Sequence, residues 1–307
     1  MNIIARLKHL ILRIFNWCKM ALKFNGTDVQ NVLYNGTQLE ELQLNGTTVW
    51  THTPPVPSGT VIFESGTAGT YDVVIPSAGE YYCTVVGAGG GGALSMHTVA
   101  HNSSGFPAVG SMVAGGGTGG YIDATVRFES SCALKVTVGS AGSGYHVYKL
   151  NQVVGNSWYV YGGAGGLSNI CSEVTKVVMQ AEGGGRGRID GVIKSVGTGS
   201  WYSQFTVSRG AGGGWSWNNR TGITVFNITS AVGNTGNFAQ DGTASGYGTY
   251  TATASILLAP NMVTGYGAGG GGTATSKRIS GGTDSANWNY AAGTYGPNTG
   301  YVKIVKT

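Results

Sequence analysis

Residues 85–93 read VVGAGGGGA. A run of apolar and aromatic residues ends at Val86, and Gly87, Gly89 and Gly92 follow in the spacing G-x-G-x-x-G. In a dinucleotide-binding turn those glycines serve a tight turn, a close approach to pyrophosphate and a helix packed against the strand. The residues after Gly92, ALSMHTVAHNSSGFP, carry no helical stripe. The next acid, Asp123, falls well past the ~20 residues at which the fingerprint places its ribose ligand. The pattern also recurs, as GAGGG at 210–214 and GAGGGG at 267–272. Relatives are GGGTGG at 115–120, GGAGG at 162–166 and GGGRG at 183–187. One cofactor does not need six cradles, so no cofactor is expected.

Repetition points to a structural use. A run with almost no side chains lets neighbouring backbones touch. Polyproline-II geometry turns every three residues and makes no internal hydrogen bonds, so its N–H and C=O groups point outward. Glycine loses more conformational entropy on ordering than any other residue, so one such run alone is unstable. Several side by side satisfy one another laterally. The expectation is a bundle of extended glycine helices docked on a small β-structure, with the scattered alanines facing outward.

The chain around the runs supports a folded protein. Of 307 residues 55 are glycine, 10% are charged and 10% are aromatic. Disordered chains show the opposite balance, many charges and few aromatics. The net charge of +5 is local: Arg6, Lys8, Arg13 and Lys19 occur without an acid in the first 19 residues, and the remainder holds 14 basic against 13 acidic groups. A nucleic-acid partner, which needs a concentrated basic face, is not expected.

Residues 1–19 place Ile3, Ile4, Leu7, Leu10, Ile11, Ile14 and Phe15 on one face of a short basic amphipathic helix. It is too short and interrupted to be a transmembrane segment. Three readings stand: a membrane-surface helix, a docking helix for a partner, or an extension upstream of a start at Met20. Residues 20–52 repeat Asn-Gly-Thr at Asn25, Asn35 and Asn45. Asn-Gly between apolar residues marks two-residue hairpin turns, so a β-meander is expected, with arms 27–34 and 37–44 split or bulged at 30–31 and 40–41. Each triplet is also a glycosylation sequon, which the turn explains as well. TPPVPSG at 53–59 is a stiff linker, and 60–307 is one glycine-rich domain. Strands are expected at 60–64, 70–75, 80–86, 133–138 and 301–306, and no long helix after residue 19.

The succession YDVVIPSAGEYYCTVVGAGGGG (71–92), GGGTGGY (115–121), LKVTVGSAGSG (134–144), GYGAGGGG (265–272) and GYVKIVKT (300–307) resembles the glycine-rich domains of bacteriophage tail-fibre proteins. The likeness covers residues 60–307, and the repeat ending at Val49-Trp50 is similar to short N-terminal modules of phage virion proteins. The functional relatives it implies are the receptor-recognition adhesins that cap the long tail fibres of T-even-type phages. In those, glycine motifs form a sandwich of polyglycine-II helices and the segments between them touch the host receptor. The spacers here are longer and less regular, and the first 52 residues differ from the adhesin's fibre-attachment domain.

The residues and the resemblance together lead to the expectation of a non-enzymatic virion protein, mainly β with polyglycine-II helices. Residues 20–52 would attach it to other fibre proteins, and 60–307 would bind a bacterial surface protein or glycan. It would act as a homotrimer or as a monomer on a trimeric fibre. A structural decoration of the virion without its own receptor, and a bacterium's own adhesive or matrix protein, are the rival classes. Candidate receptor contacts are the aromatic spacers. First come Trp215 and Trp217 with Asn218, Asn219 and Arg220 (GGGWSWNNRTG), then Trp288 and Tyr290, then Trp201, Tyr202 and Trp158. Tyr and Trp bring large rigid contact areas with a polar tip.

Catalytic chemistry has little to stand on. The 13 acids are scattered, the adjacent Glu40 and Glu41 read as a turn, and polysaccharide cleavage needs two placed carboxylates. His97 and His101 lack a helical setting for a shared metal, so no metal is expected. Cys18, Cys83, Cys132 and Cys171 form no C-x-x-C pair and read as buried thiols, with a Cys83–Cys132 disulfide as the alternative.

Overall fold

A computed structural model describes residues 23–24, 27–28, 33–34, 37–38, 41–44, 47–51, 56–99, 108–152, 157–172, 176–195, 201–243, 249–254, 265–278 and 288–307. These residues are mainly β-strand and include no helix. The amphipathic helix expected over 1–19 lies outside the described residues. The chain forms two compact units, Met1–Pro55 and Val56–Thr307.

In the first unit three hairpins close around the three Asn-Gly pairs. β1 (Lys23–Phe24) pairs with β2 (Thr27–Asp28), β3 (Leu33–Tyr34) with β4 (Thr37–Gln38), and β5 (Glu41–Leu44) with β6 (Thr47–Thr51). Phe24 faces Thr27, Tyr34 faces Thr37 and Leu44 faces Thr47. Two residues thus separate the strands each time, the spacing that type I′ turns favour.

The second unit shuttles between two β-regions, a base and a tip. β7 (Val61–Ser65), β8 (Gly69–Ile75) and β9 (Gly79–Val86) start the base. Run 87–92 carries the chain to the tip strands β10 (Ala93–Val99) and β11 (Ala108–Ala114), and run 115–120 returns it to β12 (Tyr121–Phe128) and β13 (Cys132–Val138). Run 139–144 leads to β14 (Tyr145–Gln152) and β15 (Ser157–Tyr161), and run 162–167 back to β16 (Ser168–Cys171) and β17 (Val177–Ala181). Run 182–187 leads to β18 (Arg188–Ser195) and β19 (Trp201–Ser208), and run 209–214 back to β20 (Trp215–Trp217) and β21 (Ile223–Ala231). Run 232–237 leads to β22 (Phe238–Thr243) and β23 (Thr249–Ala254). Residues 265–270 precede β24 (Gly271–Arg278) and β25 (Trp288–Tyr295), and 296–300 return the chain to β26 (Tyr301–Lys306) in the base.

The base is a sandwich of two antiparallel five-stranded sheets, β21-β12-β9-β26-β7 and β20-β17-β16-β13-β8. Alternation explains which residues fill it. Tyr81, Cys83 and Val85 of β9 point inward with Ile122, Ala124, Val126 and Phe128 of β12. They meet Val73, Ile75, Leu134, Val136, Ile170 and Met179 of the facing sheet. Cys83, Cys132 and Cys171 are free thiols, and burial raises the pKa of each. The Cys83–Cys132 bridge is therefore absent. Tyr266 stacks on Tyr301 at 4.7 Å, above Gly66, where any Cβ would overlap its ring.

The tip has three layers. The central sheet, β14-β10-β11-β22, packs one face on β15-β18-β19 and the other on β23-β24-β25. Alternate residues of β10 and β11 serve opposite sides: Ala93, Met112 and Ala114 meet Val160 and Ile189, while Leu94, Met96 and Val113 meet Ala252 and Ala254. Ala93 of β10 lies beside Ala114 of β11 and Tyr145 of β14, so these strands leave the glycine runs at one level. The other tip hairpins, β18–β19 and β24–β25, also have their closed ends away from the runs.

Between base and tip the runs bond to one another with a period of three. Gly87 and Gly90 donate to Gly120 and Gly117, Ala88 and Gly91 donate to Gly166 and Gly163, and Gly89 donates to Asn298, all at 2.8–3.0 Å. The carbonyls of Ala88, Gly89, Gly90 and Gly91 accept from Gly184, Gly142, Gly270 and Gly187. Run 87–92 is thereby bonded to six other runs, where a strand reaches two neighbours at most. A net hydrogen bond contributes only about 0.5–1.5 kcal/mol, while ordering one residue's backbone costs about 1–2 kcal/mol. The layer therefore depends on the two apolar β-regions that hold both ends of its runs.

Every amide from Gly87 to Gly91 is engaged by a protein carbonyl and β10 follows, so this is no phosphate turn. A Cβ on Gly87, Gly90, Gly116 or Gly117 would overlap a carbonyl oxygen of an adjacent run. Ala164 and Ala211 face outward, as the scattered alanines could, whereas Ala88 and Ala268 are buried. The interior admits a methyl at those two places.

Candidate functional site

The sequence-selected aromatics fall in three settings. Trp215 and Trp217 are about two-fifths exposed on β20, where they pair with Ala181 and Met179 of β17. That strand is an edge of the base, far from the tip hairpins in the topology. The polar residues after them build the connection to β21. The Asn218 N–H donates to Val178 O, Asn219 Oδ1 accepts the Val225 N–H at 2.8 Å, and Arg220 Nε donates to Val177 O at 3.0 Å. Asn219 Oδ1 and Arg220 Nε thus help to hold the connection between β20 and β21.

Trp158, in contrast, is a core residue. It is 4% exposed, its Nε1–H donates to Ser95 Oγ at 3.1 Å, and Phe205 meets it edge-on at 5.9 Å. Its ring fills the space that a Cβ on Gly191 would need. Trp201 and Tyr202 start β19, and Trp288 and Tyr290 lie at the start of β25. All four are at the hairpin ends of the tip, and their side chains lie outside the described residues. So do the hairpin connections 100–107, 196–200 and 279–287 and the sheet-to-sheet connections 153–156 and 244–248.

The surface that the sequence did not single out is the outer face of β15-β18-β19. Alternation builds it. Trp158 and Val160 point inward, so Ser157, Tyr159 and Tyr161 point outward. Tyr159 lies opposite Asp190, which lies opposite Thr206, and Tyr161 lies opposite Arg188, which lies opposite Ser208. The Tyr159 and Tyr161 rings stand parallel at 5.8 Å, within 7°. The Arg186 guanidinium, at the end of its glycine run, lies 4.4 Å from the Tyr161 ring centroid. Arg188 Nε holds Asp190 at 2.9 Å. Tyr159 is 66% exposed. A cavity of about 430 Å³ opens on this face, lined by Ser157, Tyr159, Asp190, Val192 and Thr206. A second, of about 580 Å³, lies along β15 toward Tyr145 and Val147 of β14.

One buried acid lies elsewhere, in the base. Asp123 accepts from Tyr82 Oη at 2.7 Å and from Tyr121 Oη, and its Oδ1 has no protein partner. Burial, then the carboxylate, pushes Tyr82 up to about 12 and raises Tyr121 as well. On the same sheet Glu64 accepts from Tyr301 Oη at 2.5 Å and pairs with Lys303 at 3.1 Å, and these bonds hold it below the usual carboxylate range. Each acid is bound to tyrosine hydroxyls, an arrangement that ties strands together.

No family model, no curated protein and no solved structure matched the chain.

Proposed function

We propose that this chain is a bacteriophage virion adhesin whose glycine runs are polyglycine-II helices. The observation that carries the reading is the separation of two ends by a hydrogen-bonded glycine layer. Val56 and Thr307 both enter the base, with Gly59 N–H donating to Lys306 O, while the tip hairpins open on the opposite side. The three-residue bonding period and the six neighbours of run 87–92 are what polyglycine-II geometry asks for. Such a layer is stiff and insensitive to what the hairpins carry, so the tip can vary its contacts without unfolding its support.

In this reading the first unit attaches to other virion proteins and the tip meets a receptor on the bacterial surface. Contact therefore centres on the tip and not on Trp215 and Trp217. The test is binding of the labelled full-length chain to cells of the host in which the phage propagates. Replacing connections 196–200 and 279–287 by glycine-serine segments of equal length, together with Tyr159→Ala, is expected to abolish binding while leaving the melting temperature unchanged. Absence of binding by the unaltered chain, or binding that survives both replacements together with loss of the tyrosine face, overturns the proposal.

A further inference from the structure

We propose that the notch beside Tyr159 holds a neutral pyranose unit of a surface polysaccharide, an assignment that rests on the adhesin reading and names its ligand. The tyrosine ladder has one open end. Tyr161 stacks on one side of Tyr159, and Arg186 caps Tyr161. On the other side of Tyr159, two residues along the strand, stands Ser157, whose small side chain leaves the ring face uncovered. The 430 Å³ cavity opens at that place, within the size range of small-molecule sites.

The rim around the ring face is polar and electrically balanced. Asp190 offers a carboxylate, Arg188 neutralises it, and Ser157 and Thr206 are exposed hydroxyl residues around the same cavity. A pyranose presents an apolar C–H face edged by hydroxyls. The face packs on Tyr159, and adjacent hydroxyls donate to Asp190 and accept from Arg188. An anion would meet Asp190 and a cation would meet Arg188, so the pair favours an uncharged ligand. Trp158 anchors the strand from below, so the ring stands on a fixed backbone.

The test uses the full chain and free glucose, galactose, mannose, rhamnose and N-acetylglucosamine, followed by saturation-transfer NMR. Transfer to ring protons of at least one sugar is expected. Tyr159→Ala and Asp190→Ala should each weaken it about tenfold or more, and Trp217→Ala should leave it unchanged. Both substituted side chains are at the surface, and an unaltered melting temperature verifies the fold. Host-cell binding is measured in parallel. It should be lost when the cells are treated with periodate, which cleaves vicinal diols, and retained when they are treated with protease. No transfer to any sugar, or transfer indifferent to both substitutions, overturns the assignment. So does cell binding that protease abolishes and periodate spares, which would identify a protein receptor and leave the adhesin reading standing. Sugar transfer without any cell binding has the opposite meaning: the notch is confirmed and the adhesin reading falls.

Discussion

A methyl group is enough to distinguish an interior glycine of this protein from a surface one. A Cβ at position 90 would overlap the Gly185 carbonyl oxygen, whereas one at position 296 meets nothing within 4 Å. Gly90→Ala is expected to destabilise by about 3 kcal/mol or more, because the obstacle is backbone held at both ends. Gly296→Ala should stay within about 0.5 kcal/mol, and urea unfolding of the two variants measures the contrast. Trp158 and Tyr159 make the same point with neighbouring side chains. Removing the buried indole in Trp158→Ala should cost about 3–5 kcal/mol. Tyr159→Ala, exposed, should leave thermal stability nearly unchanged. The sequence SWYVY states that these two residues face opposite ways. Only the position of Ser95 and Phe205 decides which of them goes inside.

At the scale of elements, the glycine runs behave as structure and should exchange their amide hydrogens as structure. The N–H groups of Gly90, Gly117 and Gly185 are expected to be as protected as those of Val85 and Val136 in the base core, because each donates to a carbonyl at 2.7–2.9 Å. Exchange at the rate of an open loop would refute a bonded layer. The outer face of the base sheet makes a second prediction. Tyr82, Tyr121 and Tyr301 all hold their protons more tightly than free tyrosine, through burial first and hydrogen bonds to Asp123 or Glu64 second. Folded values above the free value of about 10 mean that the stabilisation is complete below pH ~10 and is lost as pH rises through the folded values. For Tyr82 that value is about 12. The melting temperature should therefore fall above pH ~10, and Asp123→Asn should move tyrosinate absorbance of this cluster to lower pH.

At the scale of the whole molecule, the chain crosses the glycine layer repeatedly, and each crossing is a local event with a distant partner. The strands over 60–64, 70–75, 80–86, 133–138 and 301–306 were legible, because alternation and glycine punctuation are local signals. They appear as β7, β8, β9 and β13, each shifted by one residue at one or both ends, and as β26, which coincides with 301–306. The Asn-Gly hairpins were legible for the same reason. The tip sheets were not, since β10, β15 and β18 each pair with a strand that is not their neighbour in the chain. β14 lies parallel to β10 only because runs 87–92 and 139–144 leave the base side by side and in one direction. Asn219 and Arg220 looked like free polar groups beside two tryptophans, and their bonds to β21 and β17 are visible only once those strands are placed.

Composition and spacing alone determined that glycine here replaces side chains with backbone contact, that strands flank it, and that turns punctuate the first fifty residues. Those properties depend on each residue's own conformational freedom and on its immediate neighbours. The tertiary structure decided which runs touch, which tryptophan is buried and which tyrosine is presented. Those outcomes depend on bonds such as that from Gly89 to Asn298, between segments about two hundred residues apart. A run of glycines has no side chain with which to encode its partner. The β-regions at either end must bring the partners together.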